Sequence, residues 1–223
     1  MHPIVQNIQA IEKQLVGTNV KLIAVSKKKP ASDLLLAYEA GFKRFGENYV
    51  QELVDKQAIL PQDIEWHFIG HLQSNKVKYI APFVSFIHSV DSFKLLQEIN
   101  KQAAKYQRII PCLLQVHIAQ EDTKTGLSEE ELFAICQGDE LAQLAHVSVR
   151  GLMGMSTFTE DETIIREEFR RLKSLFDTAS TFSLPANCVM QEISMGMSGD
   201  WPIAISEGST FIRVGSAIFG ERI

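Results

Sequence analysis

The chain has 223 residues, 45% of them apolar and 22% charged, with a formal net charge of −5. That length suits one α/β barrel or one to two smaller domains, and the balance is that of an ordinary globular protein. No run approaches the ~18–20 uninterrupted apolar residues that span a bilayer, and an acidic balance argues against nucleic acid, whose phosphates are met by an excess of lysine and arginine.

The Ile/Leu spacing over 4–15 predicts a helix ahead of the first strand. Its start, Met1-His-Pro-Ile-Val-Gln-Asn7, has neither the basic region nor the apolar core of a secretory signal. Apolar, β-branched or aromatic runs too short for helices follow at 22–26, 44–46, 66–70, 84–88, 110–117, 147–152, 189–194 and 211–214. Gly41, after 35–40, reads as a left-handed helix stop. Asn48 with Gln51, Ser128 with Glu131, and Thr159 with Glu162 read as helix N-caps with their capping-box partners. Leu96, Ile99, Ala103 and Tyr106 repeat at helical spacing, as do Ile165, Phe169, Leu172 and Phe176. Strands that alternate with helices imply a parallel sheet, because parallel strands need crossover connections. About eight such units in this length predict a single (β/α)8 barrel over 1–223, with the first helix covering its N-terminal end or its flank. A doubly wound open sheet is the alternative. Cys112, Cys136 and Cys188, odd in number and without a Cys-x-x-Cys pair, read as buried reduced thiols, which fits a cytoplasmic protein.

Two segments at opposite ends carry the chemistry. Ile23-Ala-Val-Ser-Lys27 runs an apolar strand into a lysine. In a parallel barrel the C-terminal strand ends form the functional face, so a lysine there points at the pocket mouth. Burial lowers an amine's pKa and makes it a better Schiff-base nucleophile. The plain reading of Lys27-Lys28-Lys29 is a solvated loop, and spacing alone does not select Lys27 from its neighbours. At the other end, Arg213 leaves the last strand toward the mouth or interior, where a buried guanidinium needs an aromatic ring nitrogen or a phosphate as partner. Gly215 and Ser216 offer N–H donors and a hydroxyl at a helix start, an anion-binding arrangement. Together these suggest bound pyridoxal 5′-phosphate. In Glu192-Ile-Ser-Met-Gly-Met-Ser-Gly-Asp200, glycines and serines permit close approach of an anion, and Ser194 stands where the strand ends. A flexible loop with methionines packed beneath it is the competing reading. His67 and His71 have the i, i+4 interval of zinc ligands, but that spacing works on a helix and with further ligands, so no metal is expected. His71 and Asn48 are candidates to line the pocket. No Ser-His-Asp grouping, Walker loop or dinucleotide-binding glycine motif occurs where a strand meets a helix.

Ala24-Val-Ser-Lys27, Phe45-Gly-Glu-Asn-Tyr-Val-Gln-Glu52, Trp66-His-Phe-Ile-Gly-His-Leu-Gln-Ser-Asn-Lys76, Gly151-Leu-Met153, Ser194-Met-Gly-Met-Ser-Gly-Asp200 and the run from Arg213 to Gly220 resemble, in order, the pyridoxal phosphate homeostasis proteins. The resemblance implies a single alanine-racemase-like barrel that carries the cofactor. It implies Lys27 as the Schiff-base lysine, Arg213 facing the pyridine nitrogen, and Ser194, Gly215 and Ser216 around the phosphate, with Asn48, His71 and Met153 as further pocket residues. Ser216 stands where threonine is common, and Lys28 replaces a frequent threonine. The implied role is to carry and buffer the cofactor, with apoenzymes as recipients, and to influence vitamin B6 and amino-acid balance without established catalysis. A monomer is expected. An amino-acid racemase is the alternative, whereas a cofactor-free Schiff-base aldolase would leave Arg213 and the anion-binding turns unexplained. Racemisation needs an acid/base group on each face of the substrate. In the alanine racemases the second is a tyrosine from a domain after the barrel, whereas here only Glu221-Arg-Ile223 follow Gly220. Tyr38, Tyr49, Tyr79 and Tyr106 read as helical, so little racemase turnover and a solvent-open cofactor are expected.

Overall fold

The computed structural model describes residues 2–120 and 125–220. In chain order the first half runs α1 (Pro3–Leu15), β1 (Lys21–Val25), α2 (Ala31–Glu39), β2 (Arg44–Glu47), α3 (Val50–Ile59), β3 (Glu65–Phe68), α4 (Val77–Ile80), β4 (Phe86–Val90) and α5 (Phe93–Lys105). The second half runs β5 (Ile110–Gln115), α6 (Glu129–Gln137), α7 (Asp139–Ala142), β6 (Val147–Met153), α8 (Glu162–Ser180), β7 (Cys188–Ser194), α9 (Trp201–Ser206), β8 (Phe211–Val214) and α10 (Ser216–Phe219). The eight described strands are parallel and close into a barrel in sequence order, β8 pairing with β1 from Lys21↔Phe211 to Ala24↔Val214. The (β/α)8 prediction holds, and the open sheet is excluded. Among the described residues no helix is long and apolar enough to cross a membrane, and the three cysteines are buried and unbridged.

Strand alternation divides the interior into two layers. Leu22 and Ala24 face outward into the apolar shell beneath the helices. Phe211 on β8 touches the rings of His67 on β3 and of Phe86 and His88 on β4, strands reachable only through the barrel lumen. Phe211 and Arg213 therefore point inward, and Ile23, the register partner of Arg213, shares that face. β4, β6 and β7 each carry a register shift. Gly151 makes one possible: its φ is +142°, and a Cβ there would lie 1.9 Å from the Glu192 carbonyl oxygen.

α1 buries Ile4, Val5, Ile8, Ile11 and Leu15 and packs on α2, α10 and β1, with Asn7 Nδ2 donating to the Ile218 carbonyl at 3.0 Å. It seals the flank where the first and last units meet rather than the barrel's N-terminal end. Two expected caps are replaced. α3 starts at Val50 with Tyr49 in the cap position and no side-chain cap, while Gln51 bonds Asp55 instead of reaching back. The backbone of Asn48 is drawn across β3, so tightly that a Cβ at Gly70 would lie 2.2 Å from the Asn48 carbonyl oxygen. Asp161, not Thr159, caps α8 through Thr163 N (2.8 Å), and Thr159 Oγ1 accepts from Asp161 N one turn earlier. The Ser128–Glu131 box is present as predicted. Tyr38 and Tyr79 lie on helices and Tyr106 ends one, but Tyr49 sits half exposed in the β2–α3 loop, which corrects its helical assignment.

Candidate functional site

The C-terminal ends of the strands gather most of the predicted residues at one mouth. Arg213 lies at its floor, only 4% exposed. Its Nη1 donates to Ser194 Oγ at 2.6 Å and its Nη2 to the Gly154 carbonyl at 3.0 Å. No carboxylate pairs directly with it among the described residues, and burial, opposed by the more distant Asp200, pulls its pKa down to about 10. It remains a cation at neutral pH, held by neutral acceptors.

Ser194 is fully buried and continues this contact inward. Its Oγ lies 2.9 Å from His88 Nδ1, and His88 Nε2 lies 2.9 Å from His67 Nδ1. Arginine can only donate, so Ser194 Oγ accepts from it and has its own hydrogen to give to His88 Nδ1. The Nε2–H of His88 then donates to His67 Nδ1, a tautomer assignment that satisfies each contact in turn. Both imidazoles must be neutral for this. Burial, then Arg44 and Lys21, lowers His67 to about 3. Burial, then His67 and Arg213, holds His88 well below its usual value.

Above Arg213 the β7–α9 and β8–α10 turns meet. Gly215 N donates to Ser198 Oγ at 3.1 Å. Gly196 takes φ +93°, turning the chain so that Ser198 stands over the β8 exit while Ser194 stays below. Asp200 holds that turn by accepting from Met197 N and, at 2.8 Å, from Ser156 Oγ. The N-terminus of α10, with Ser216 exposed, has no side-chain cap. These donors suit an oxyanion.

Lys27 lies in the turn two residues beyond β1, partly buried. Ser26 N extends the ladder to the Gly46 carbonyl (3.0 Å), so strand alternation carries on toward Lys27 in the inward phase of Ile23. Gly215 sits against the end of β1, where a Cβ would come 3.3 Å from the Val25 carbonyl oxygen. Lys29 reaches across to α10, its Nζ 3.0 Å from the Phe219 carbonyl. Distant ends of the sequence thus meet at one wall.

Met153 ends β6, fully buried, in register with Ser194. Asn48 sits at the β2 exit with its Oδ1 buried and without a hydrogen-bond partner among the described residues. His71 stands apart at the rim, its Nδ1 3.1 Å from Asp91 Oδ2. It is not brought to His67, which faces His88 inside the barrel. Sequence reasoning missed Ser198, Asp200, His67 and His88 as site residues. The available signal for Ser198 was Gly196 between the two serines, a turn that separates strand end from loop tip.

The buried cation without a carboxylate, the uncapped turn beside it and the orphaned Asn48 oxygen fit a ring nitrogen, a phosphate and a polar ring substituent. The alanine racemase N-terminal domain model matches residues 2–223. A pyridoxal phosphate homeostasis protein of Pasteurella multocida is 39% identical over 222 residues, covering 97% of this chain and 94% of that protein. Its counterpart from Aquifex aeolicus is also 39% identical over 222 residues, 98% of this chain and 95% of that protein. The structure of PipY from Synechococcus elongatus PCC7942 with pyridoxal phosphate bound superposes with a TM-score of 0.88 at 36% identity, over 97% of this chain and 100% of that one. Alanine racemase from Corynebacterium glutamicum (TM-score 0.77, 16% identity, 99% of this chain, 61% of that one) shares the fold alone. Agreement at this identity across nearly the full length of both partners decides the matter: this chain belongs to the pyridoxal phosphate homeostasis protein family.

Proposed function

We propose that the barrel mouth holds pyridoxal 5′-phosphate and that the protein carries and buffers this cofactor rather than turning over a substrate. The observation that carries the reading is Arg213: a buried guanidinium with neutral partners, beside an uncapped glycine turn and next to the β1 exit that bears Lys27. When bound, the cofactor supplies an aldehyde and an electron-withdrawing ring. Lys27 supplies the amine for the covalent link. Arg213 faces the pyridine nitrogen, and because it keeps its proton it leaves the ring a poorer electron sink than a carboxylate partner would. Gly215, Ser216 and Ser198 take the phosphate. Ser194 acts one step removed, by holding Arg213. Met153 and Asn48 line the pocket, and His71 marks its rim. Apoenzymes are the proposed recipients, in the cytoplasm, with a monomeric carrier and an influence on vitamin B6 and amino-acid balance.

Tyr49 gives the racemase reading its foothold, because it stands in a loop at the mouth instead of on a helix. Titrating the purified protein with pyridoxal phosphate and then incubating it with L-amino acids in deuterated water separates the two. The carrier reading expects a visible absorbance band saturating at one cofactor per chain, with no multiple-turnover α-deuteration. Sustained deuteration with formation of the D-enantiomer, lost in Tyr49→Phe, would establish an enzyme instead.

A further inference from the structure

The Phe45-Gly-Glu-Asn-Tyr-Val-Gln-Glu52 segment has no assigned part in the site beyond Asn48, although it packs directly behind Lys27. We infer that Lys56 and Glu52 on α3 are positioning residues for Lys27, pinning the peptide groups on both sides of it. The inference rests on Lys27 being the linking amine.

Lys56 is a buried lysine, 6% exposed, and its ammonium has three N–H donors. All three are taken: the Ser26 carbonyl at 2.8 Å, Glu47 Oε1 at 2.7 Å and Glu52 Oε1 at 2.8 Å. The bond to Ser26 fixes the carbonyl of the Ser26–Lys27 peptide. Glu52 Oε1 also accepts the backbone N–H of Lys28 at 2.6 Å, which fixes the Lys27–Lys28 peptide. Ser26 Oγ donates to Glu47 Oε1 at 2.6 Å and ties the same residue to the β2 exit. Lys27 therefore has a neighbour anchored to α3 on each side. Lys28 shows the strength of this hold. Its φ of +61° lies in the left-handed region that residues with a side chain avoid, and the Glu52 bond supports it there together with the turn's own bond from Lys29 N to the Ser26 carbonyl (3.0 Å).

The arrangement is more costly than fold maintenance requires. Glu47 is fully buried, burial raises its carboxyl while Lys56 and Ser26 lower it, and its Oε2 has no partner among the described residues. An apolar contact at this position would join α3 to the barrel without such groups. What the charged cluster supplies is direction: the turn closes on itself through Lys29 N and the Ser26 carbonyl (3.0 Å), and the ties to Lys56 and Glu52 fix that closed turn against α3. A positioned amine meets an aldehyde held by Arg213 and the phosphate turn at once, whereas a wandering one meets it rarely, and misplacement of about 1 Å costs up to ~100-fold in rate.

The test measures covalent capture and total retention separately, on apoprotein mixed with pyridoxal phosphate. Capture is read from the rise of visible absorbance and from borohydride labelling of Lys27. Retention is read as all cofactor that remains bound at equilibrium. Lys56→Met and Glu52→Ala are compared with Lys43→Met, which removes an exposed lysine paired with Asp63. Capture is expected to slow about tenfold or more in both α3 variants. Retention should stay within about twofold, since the phosphate and ring contacts are untouched, and Lys43→Met should match the parent. Parental capture rates in the α3 variants would overturn the inference, and so would equal losses of capture and retention, which indicate a merely structural role. If Lys56→Met fails to fold, Glu52→Ala decides alone, its side chain being 22% exposed and outside the core. If the parent itself is not labelled at Lys27, the failure lies with the proposed linkage and not with α3.

Discussion

The two walls of the mouth solve opposite problems with opposite means. On the β1–β2 side the turn that bears Lys27 is anchored through its backbone, by the ionic cluster of Lys56, Glu47 and Glu52. On the β7–β8 side a side-chain cation is placed by neutral acceptors, Ser194 and the Gly154 carbonyl, backed by uncharged His88 and His67. The charges differ because the tasks differ. Carboxylates suit a wall that must hold N–H groups and an ammonium. Beside Arg213 a carboxylate would neutralise the guanidinium, whereas the neutral oxygens of Ser194 and Gly154 orient it and leave its positive charge uncompensated.

The largest contrast lies in Lys27→Ala, which should abolish the visible band entirely while some cofactor stays bound through the adjoining β7–β8 side. A spectrum and a phosphate assay on the same sample check this, and complete loss of both would mean the walls do not act separately. Next comes the pair of serines. Charge-assisted hydrogen bonds to phosphate contribute roughly 1.5–3 kcal/mol each, so Ser198→Ala should weaken cofactor retention about tenfold with an unchanged melting temperature. Ser194→Ala should behave in the reverse way. It strips a partner from both Arg213 and His88, leaving buried groups unpaired at a cost of about 1–3 kcal/mol, so the apoprotein melts several degrees lower. Equal effects of the two variants would erase the distinction between loop tip and strand end.

The two walls also differ in pH dependence, and in opposite senses. The folded-state values of His67 (about 3) and His88 lie below the ordinary imidazole value near 6.5. The unfolded chain therefore binds more protons than the folded one in the window between. The contribution of His67 is full above about pH 6.5 and is lost as pH falls toward 3, at about 1 kcal/mol per pH unit, and that of His88 is lost in the same direction. Denaturation at pH 5 and 7 should show lower stability at pH 5, with the gap narrowed in His67→Phe. The raised carboxyl of Glu47 works in the other sense, favouring the fold at low pH and losing that advantage as pH rises through its folded value.

Most of the barrel was legible in the sequence because short β-branched runs and helical spacing are local signals. The eight strand positions, Gly41 at φ +96° and the Ser128 capping box follow from it. What escaped depends on contacts between distant residues. Asn48 has a capping residue's chemistry, but the approach of Gly70 fixes its backbone elsewhere. Ser194 and Ser198 are equivalent in composition, and only the turn at Gly196 sends one below Arg213 and the other above it. Lys56 carries no local signal of burial, and only the closing of the β1 and β2 exits over α3 brings its ammonium to Ser26 and Glu47. Lys27 itself, one of three adjacent lysines, stands out only when its turn is seen between Gly215 and α3.

The central claim is that this turn delivers the linking amine. Borohydride reduction of the cofactor-loaded protein, followed by peptide mapping, tests it most directly. The account predicts a single pyridoxyl label on Lys27. A label on Lys28 or Lys29, or no labelled lysine, would contradict it.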